Sequence, residues 1–473
     1  MARIQNFWDL KNITSYSSHY VDQFDVNTPS VGGGYFKWIA SNNASITDIA
    51  GIRIKPSGTT DGYWLRDYSG PMQLDWFGTK SSNQTLTSLG ITQGVADTRY
   101  GAGVVNVTTD KYDYAAMAFA FKLMESIGYS ALEFSPVSYY LNRALNLPRF
   151  QVGIAVPEFI LRGNGCLLRA TAGHTGNILQ RIPPDQNSAL NGGYIEVRFD
   201  ISGFNIIGNN ATGQTGLLLG PSFNSIITFI DFTNIDRGLN LEFCLNVRVI
   251  SVKGIPNEYG IMIDYGSTWG GNNSNSQSNH AQILQCRIFN VAGVTASYYI
   301  RGCSGVKLVD CIVEGFAPDY GIYFDYNGST VVHEITIDNS HVEVACNIAA
   351  IYMRGSTGQY NVRNVFNQYS QVLVEFDCPN GYPQVNIEKV SYTHPSTTFA
   401  NKNAGAVWKF VDCEFGPAPW EAGASTCHPY RSTAWKATAG YFQPTGKYSA
   451  AHALQSNYRC YVIEPILRQL TDD

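Results

Sequence analysis

Two stretches of the chain read almost alike: GIMIDYGST at residues 260–268 and GIYFDYNGST at residues 321–330. Each opens on glycine, runs through three apolar or aromatic residues and reaches a carboxylate, and their starts lie 61 residues apart. Aligning them exposes further copies. These are Leu217-Leu218-Leu219, Leu239-Asn240-Leu241-Glu242, Ile261-Met262-Ile263-Asp264 and Tyr298-Tyr299-Ile300-Arg301. The series continues with Ile322-Tyr323-Phe324-Asp325, Ile351-Tyr352-Met353-Arg354 and Val372-Leu373-Val374-Glu375. Successive offsets are 22, 22, 37, 24, 29 and 21 residues. Only the 37 stands apart, and it contains YGSTWGGNNSNSQSNH (265–280), a Gly/Asn/Ser loop of the kind a solenoid carries as an insertion.

A second strand follows the first in several copies: NVRVISVKG (246–254), AQILQCRIF (281–289), VKLVDCIVE (306–314) and EITIDNSHV (334–342). Cys286 aligns with Cys311, and Gln285, Asp310 and Asn339 share one position. Short alternating strands at this period cannot each bury a face alone, but stacked they form one continuous core. The pattern predicts an all-β chain built as a parallel β-helix, with rungs about 4.8 Å apart. A propeller blade needs about 40 residues and a leucine-rich repeat needs its Leu/Asn signature, so both fit worse.

The ends of such a stack expose raw strand edges. Upstream, DKYDYAAMAFAFKLMESIG (110–128) places Ala116, Phe119, Leu123 and Ile127 at helical spacing and stops at Gly128. A capping helix is expected over 111–128. Residues 1–90, rich in Gly, Ser and Asn with scattered aromatics, are expected to form a separate small module. The solenoid is expected over 91–395, and 396–473, where the repeat is lost, as a terminal β-rich element.

Composition removes several function classes. A net charge of −5 with no Lys/Arg run argues against a nucleic-acid partner. No stretch approaches the roughly 20 apolar residues that span a membrane, and the first residues lack the apolar run of a signal peptide. Synthesis in a cytosol without Sec export is expected. The ten cysteines sit singly and read as small buried hydrophobes. No HExxH spacing, GxSxG nucleophile turn or dinucleotide loop is present; Gly163-Asn164-Gly165 precedes no helix. Neither a metal nor a cofactor is expected.

Alternation sends Ile322 and Phe324 inward and Tyr323 and Asp325 outward. The outer positions then form two columns. One reads Glu242, Asp264, Arg301, Asp325, Arg354, Glu375; its neighbour reads Asn240, Met262, Tyr299, Tyr323, Tyr352, Leu373. Charges of alternating sign stacked on neighbouring rungs would pair, each exposed pair contributing about 0–1 kcal/mol. The same column also offers chemistry. Asp264 and Asp325 lie two rungs apart, about 9–10 Å, near the 6.5–9.5 Å or so that an inverting glycosidase leaves for a water. Glu242 and Asp264 on adjacent rungs would be about 5 Å apart, the retaining distance, and would split their pKa values. Tyr299, Tyr323 and Tyr352 could stack on sugar rings or merely on each other, while Arg301 and Arg354 could hold acidic sugars. Trp269 could fold over this face as a platform or pack on its own loop. Asp319 is a spare candidate, His341 with Glu343 reads as a surface pair, and Asp310 as part of a polar turn ladder.

In order along the chain, several segments resemble bacteriophage tailspikes of the pectate-lyase-like, right-handed β-helix superfamily. GYWLRDYSGPMQLDWFG (62–78) looks like the tract joining a virion-attachment module to the β-helix. Asp113-Tyr114-Ala115-Ala116 stands where such proteins open their capping helix. ALEFSPVSYYL resembles their first strand, and FILRGNGCLL the turn that follows. The resemblance covers about 60–380 and implies a homotrimeric virion protein that binds, and often cleaves, a bacterial surface polysaccharide. It also implies attachment to phage tail or baseplate proteins through the N-terminal module, and assembly in the host cytoplasm. The expected function is hydrolysis by Asp264 and Asp325, with Glu242 as alternative partner. The rivals are a glycan-binding or structural tail protein without activity, and a polysaccharide lyase.

Overall fold

A computed structural model of the chain shows a parallel β-solenoid of about 8 turns. It describes residues 2–13, 17–127, 130–149, 158–184, 197–271, 276–326, 333–354, 358–370, 372–377 and 384–392, and beyond these the backbone of a few short strands. Most of the 396–473 element, and the Asn327–Thr330 end of the second quoted copy, lie outside the described residues. The chain divides into two compact units, one of residues 1–181 and 196–216, the other of residues 182–195 and 217–473.

The first unit begins with a five-stranded sheet in the order Ala2–Asn6, His19–Gln23, Gly32–Asn42, Asp61–Arg66, Arg53–Ile54. Phe7, Leu10, Val21, Phe24, Phe36 and Trp64 form its core. Arg66 is buried there and donates to the carbonyls of Gly51, Gly33 and Gly32 at 2.5, 2.7 and 2.8 Å. Burial lowers its pKa to about 9. The 62–78 tract leaves this sheet and adds Met72–Gln73 in parallel to Ala131–Glu133, the first solenoid strand.

The helix Tyr112–Ile127 packs on the strands Ser138–Leu141 and Leu145–Asn146, as a cap does. Its apolar face buries Ala116, Met117, Ala120 and Leu123. Asp113 explains the motif that opens it. Its carboxylate accepts the backbone N–H of Lys80, Ser81, Ser82 and Tyr140 at 2.8, 3.0, 3.2 and 3.2 Å, tying an incoming segment and a solenoid strand to the first helical turn. Burial outweighs those bonds and raises its pKa to about 6.

In the second unit the main sheet takes three strands from each coil, not the two read from the sequence, and Ser222–Phe223, Cys244–Leu245, Ser278–Asn279 and Cys303–Ser304 stack as a short fourth. The expected second strand bends at a single residue in the left-handed region. Ser251, Gln285, Asp310, Asn339, Asn364 and Lys389 occupy that position, with φ of 53, 55, 55, 45, 50 and 48°. Before the bend lie Arg248–Ile250, Gln282–Leu284, Val306–Val309 and His333–Asp338, stacked in parallel. After it come the start of Lys253–Asp264, then Arg287–Asn290, Ile312–Gly315 and His341–Val342. Asn and Asp tolerate this backbone because their short polar side chains bond locally. Here Asn339 donates to Asp310 at 2.5 Å and Asn364 to Asp338 at 2.8 Å, a polar turn ladder. The six described cysteines are buried thiols outside any disulfide.

The third strand carries the repeat that opens the sequence. Lys253–Asp264, Ala296–Arg301, Tyr320–Asp325, Ala349–Arg354 and Val372–Asp377 stack in parallel. Simple in–out alternation fails here, because the outer residues are buried too: Tyr299, Tyr323 and Tyr352 are 7%, 9% and 6% exposed. A column absent from the sequence reading covers them. Tyr259, Ala296, Tyr320 and Ala349 are in register, alternating large and small. The small residues leave room for the rings, so Tyr259 stacks on Tyr299 at 4.7 Å and Tyr320 packs at a tilt against Tyr323 and Tyr352 at 4.5 and 4.8 Å. Next along each strand stand Gly260, Ser297, Gly321 and Ala350. A Cβ on Gly260 would come within 2.5 Å of the Ser297 carbonyl, and one on Gly321 within 2.7 Å of that of Ala350. The two quoted stretches are alike because they occupy equivalent rungs of a two-coil repeat.

Candidate functional site

The charge column begins as expected. Glu242 pairs in register with Asp264, Arg301 with Asp325, and Asp325 with Arg354. Its end does not. Glu375 stands opposite Tyr352, and Asp377 takes the place beside Arg354, a two-residue shift from the spacing read in the sequence.

Asp264 is fully enclosed. Arg301 donates to it at two points, Nε to Oδ1 at 2.8 Å and Nη2 to Oδ2 at 2.5 Å. The Tyr265 N–H and the Ser267 hydroxyl add bonds of 2.7 and 2.5 Å. Both come from the turn that immediately follows the strand, so Asp264 fastens the entry of the long loop. The Arg301 guanidinium lies over the Tyr265 ring at 4.7 Å.

Glu242 sits one rung below, also with no exposed surface. Asn240 donates to its Oε1 at 3.0 Å, and the Thr268 hydroxyl donates to its Oε2. Burial, opposed by the Thr268 bond and reinforced by the Asp264 charge, raises its pKa to about 7. The Asn240 carbonyl oxygen is buried without a partner among the described residues. With that amide turned over, it would accept the proton of a neutral Glu242, a pairing that suits the raised pKa. Ser267 and Thr268 were not singled out from sequence, although both stand inside the opening stretch; Asn240 appeared in that reading only as a member of the second outer column.

Trp269 does not extend over the tyrosine column as a platform. It is 5% exposed and folds back on Phe243, with ring centroids 6.1 Å apart, and on Ile182 and Leu245. The turn it closes is held by Trp269 N–H and Gly271 N–H to the Gly266 carbonyl, at 3.2 and 2.9 Å. Nor do the tyrosines form an open strip; they bury one another.

Asp325 is half-buried and accepts the Tyr299 hydroxyl at 3.0 Å. That carboxylate and the burial of the ring push the Tyr299 pKa up, burial contributing most. A hydrogen bond with Tyr323 holds Arg354 charged. Asp319 lies apart from the column, accepting Asn347 at 3.1 Å. Of the three candidate carboxylates, Asp325 alone reaches solvent. The arrangement can hold charge and orient a turn; in this conformation it offers no pair of carboxylates open to a substrate. No cluster of potential metal ligands occurs among the described residues.

No protein-family model matches the chain, and no curated protein matches it in sequence. Among solved structures it is similar to full-length tailspike protein 2 of an Escherichia coli O157:H7 bacteriophage, with a TM-score of 0.57 and 13% identity. That match covers 98% of this chain and 55% of the other. It is also similar to the tailspike gp49 of Acinetobacter baumannii bacteriophage Fri1, a capsular polysaccharide depolymerase, with a TM-score of 0.54 and 9% identity over 92% of this chain and 77% of that one. The gp42 tailspike of Acinetobacter phage vb_AbaP_AS12 gives 0.52 and 13% over 93% and 79%. The shared feature is the fold, a parallel β-helix of the tailspike kind. The chain spans about half the length of the first of these proteins.

Proposed function

We propose that the chain acts in a phage tailspike, on the virion, and binds a bacterial surface polysaccharide. The observation that carries this reading is the tailspike fold extending over 98% of the chain at a TM-score of 0.57. The N-terminal sheet is the proposed attachment to the phage tail or baseplate, with assembly as a homotrimer in the host cytoplasm. No helix among the described residues is long and apolar enough to cross a membrane.

Hydrolysis is the second reading, and one observation favours it. Glu242 holds its proton to about pH 7 beside Asp264 on the next rung, the environment of a general acid paired with a second carboxylate. In that mechanism Glu242 protonates the glycosidic oxygen while Asp264 attacks or activates water, and Asp325 serves from the open side. The Gly266–Trp269 turn would have to lift first, since both Glu242 and Asp264 are enclosed. Arg301 and Arg354 would border the exposed cleft, while Tyr299, Tyr323 and Tyr352 would reach a sugar only if Tyr259 and Tyr320 also moved away.

The test is to incubate the purified chain with a panel of bacterial surface polysaccharides and weigh the products. Oligosaccharides gaining one water establish a hydrolase, and fragments lacking it a lyase. Retention without cleavage leaves a binding protein. Neither retention nor cleavage on any member overturns the proposal.

A further inference from the structure

The acid column is covered, but another face of the same coils is open. After each left-handed bend, the strands Arg287–Asn290, Ile312–Gly315 and His341–Val342 stack in parallel. Phe289 on the first of these strands is 43% exposed; Phe316, which follows the second one directly after the left-handed Gly315 and donates its N–H to the Asn290 carbonyl at 3.0 Å, is 60% exposed. Phe289 stands opposite Glu314. A Cβ on Gly315 would lie 2.4 Å from the Asn290 carbonyl oxygen and 3.0 Å from Cδ1 of Phe289, so glycine lets both that backbone and the ring come close to the next coil.

Charged groups flank both rings. Arg287 donates to Glu314 at 2.6 Å, and on the following coil His341 Nδ1 lies 3.4 Å from Glu343. The Glu343 N–H bonds the Val313 carbonyl at 2.9 Å, which sets Glu343 beside Glu314. Rings and hydrogen-bonding groups therefore alternate along one accessible strip. A protein partner seated here would have to strip water from those ionic groups as it covered the rings, and that desolvation opposes binding. A sugar chain needs no such burial. Its rings offer flat C–H faces to the phenylalanines and its hydroxyls bond the carboxylates and guanidinium at the solvent edge.

We propose that this strip, built on Phe289 and Phe316, is the saccharide-binding surface of the chain. The inference rests on the glycan-binding reading above and locates it on this face instead of the tyrosine column. The test uses the panel polysaccharide that the unaltered chain retains most strongly. F289A/F316A is expected to lower retention at least tenfold, with thermal unfolding and oligomeric state unchanged because both side chains are exposed. Hydrogen exchange of the unaltered chain is expected to slow on adding that polysaccharide, at 287–290 and 312–315. Undiminished retention by the double variant, with protection elsewhere, overturns the inference while the glycan-binding reading stands. A changed oligomeric state with retention intact makes the strip a contact between copies and also overturns it. If the unaltered chain retains no polysaccharide, both fall together.

Discussion

Arg301 and Asp264 meet across one coil boundary in a two-point contact, with the carboxylate wholly enclosed and the guanidinium side chain 27% exposed. Burial works against the charged arginine, and the Asp264 bonds and charge more than reverse it, so its pKa is raised. Removing the cation would leave a carboxylate without compensation in a closed site. R301M is expected to destabilise the chain by about 3 kcal/mol, read as a fall in Tm. D264N/R301M should recover part of the loss, since no net charge remains buried.

Glu242 gives a pH signature. Its folded pKa of about 7 lies above its ordinary 4.5, so between those values the folded chain binds more protons than the unfolded one. Its contribution is complete below about pH 4.5 and is lost as pH rises through 7. Asp113, raised from 3.8 to about 6, acts in the same direction. Denaturant unfolding from pH 5 to 8 should show stability falling with pH, by up to about 3 kcal/mol from Glu242. E242Q should flatten that slope; an unchanged slope would refute the assignment.

Two glycines should respond differently to alanine. G321A places a Cβ within 2.7 Å of the Ala350 carbonyl, backbone that cannot swing aside, and should cost about 1–3 kcal/mol. Gly270 has φ of 85° but nothing within 4 Å of its Cβ position, so G270A should cost only the backbone strain, about 1 kcal/mol. Parallel denaturation curves separate the two.

The interleaved column makes a fourth case. Ala296 lies between Tyr259 and Tyr320 in register, and its methyl group leaves the space their rings lean into. A296L overpacks that space and is expected to lower stability by about 1–3 kcal/mol. Y323F should be milder, because it keeps the ring contacts with Tyr299 and Tyr352 at 5.0 and 5.2 Å.

Asp325 is the one candidate carboxylate open to solvent. If the chain cleaves a polysaccharide there, D325N should reduce turnover by at least a hundredfold without altering Tm, because the side chain is half-buried and lies outside the enclosed cluster. Unchanged cleavage and product masses would remove Asp325 from the mechanism and leave it to Glu242 and Asp264.

The solenoid was legible because its period survives in apolar triplets, which inward packing constrains on every coil. The capping helix was legible for the same reason: Ala116 and Leu123 keep the helical spacing that their burial demands. The left-handed bends were not. Gln285, Asp310 and Asn339 were visible as an aligned set, but an isolated positive φ leaves alternation looking continuous, so two strands read as one. Burial of the tyrosines escaped because it depends on Tyr259 and Tyr320, three residues upstream of the column they cover. Such contacts cross the sequence period and follow from ring size, which hydrophobic patterning does not encode. The register shift at Glu375 escaped because turns of unequal length change which residues meet without altering the pattern of either strand.

The alternation of Tyr259, Ala296, Tyr320 and Ala349 also governs how such a chain can change length. Excising the Ala296 coil would set Tyr259 on Tyr320 in that column and Asp264 beside Asp325 in the charge column, and excising the Tyr320 coil would set alanine on alanine and Arg301 beside Arg354. Excising two would restore both, along with the glycine that each tyrosine precedes. The heritable module of this region is therefore a pair of coils, and related chains that differ in length here should differ by an even number of them.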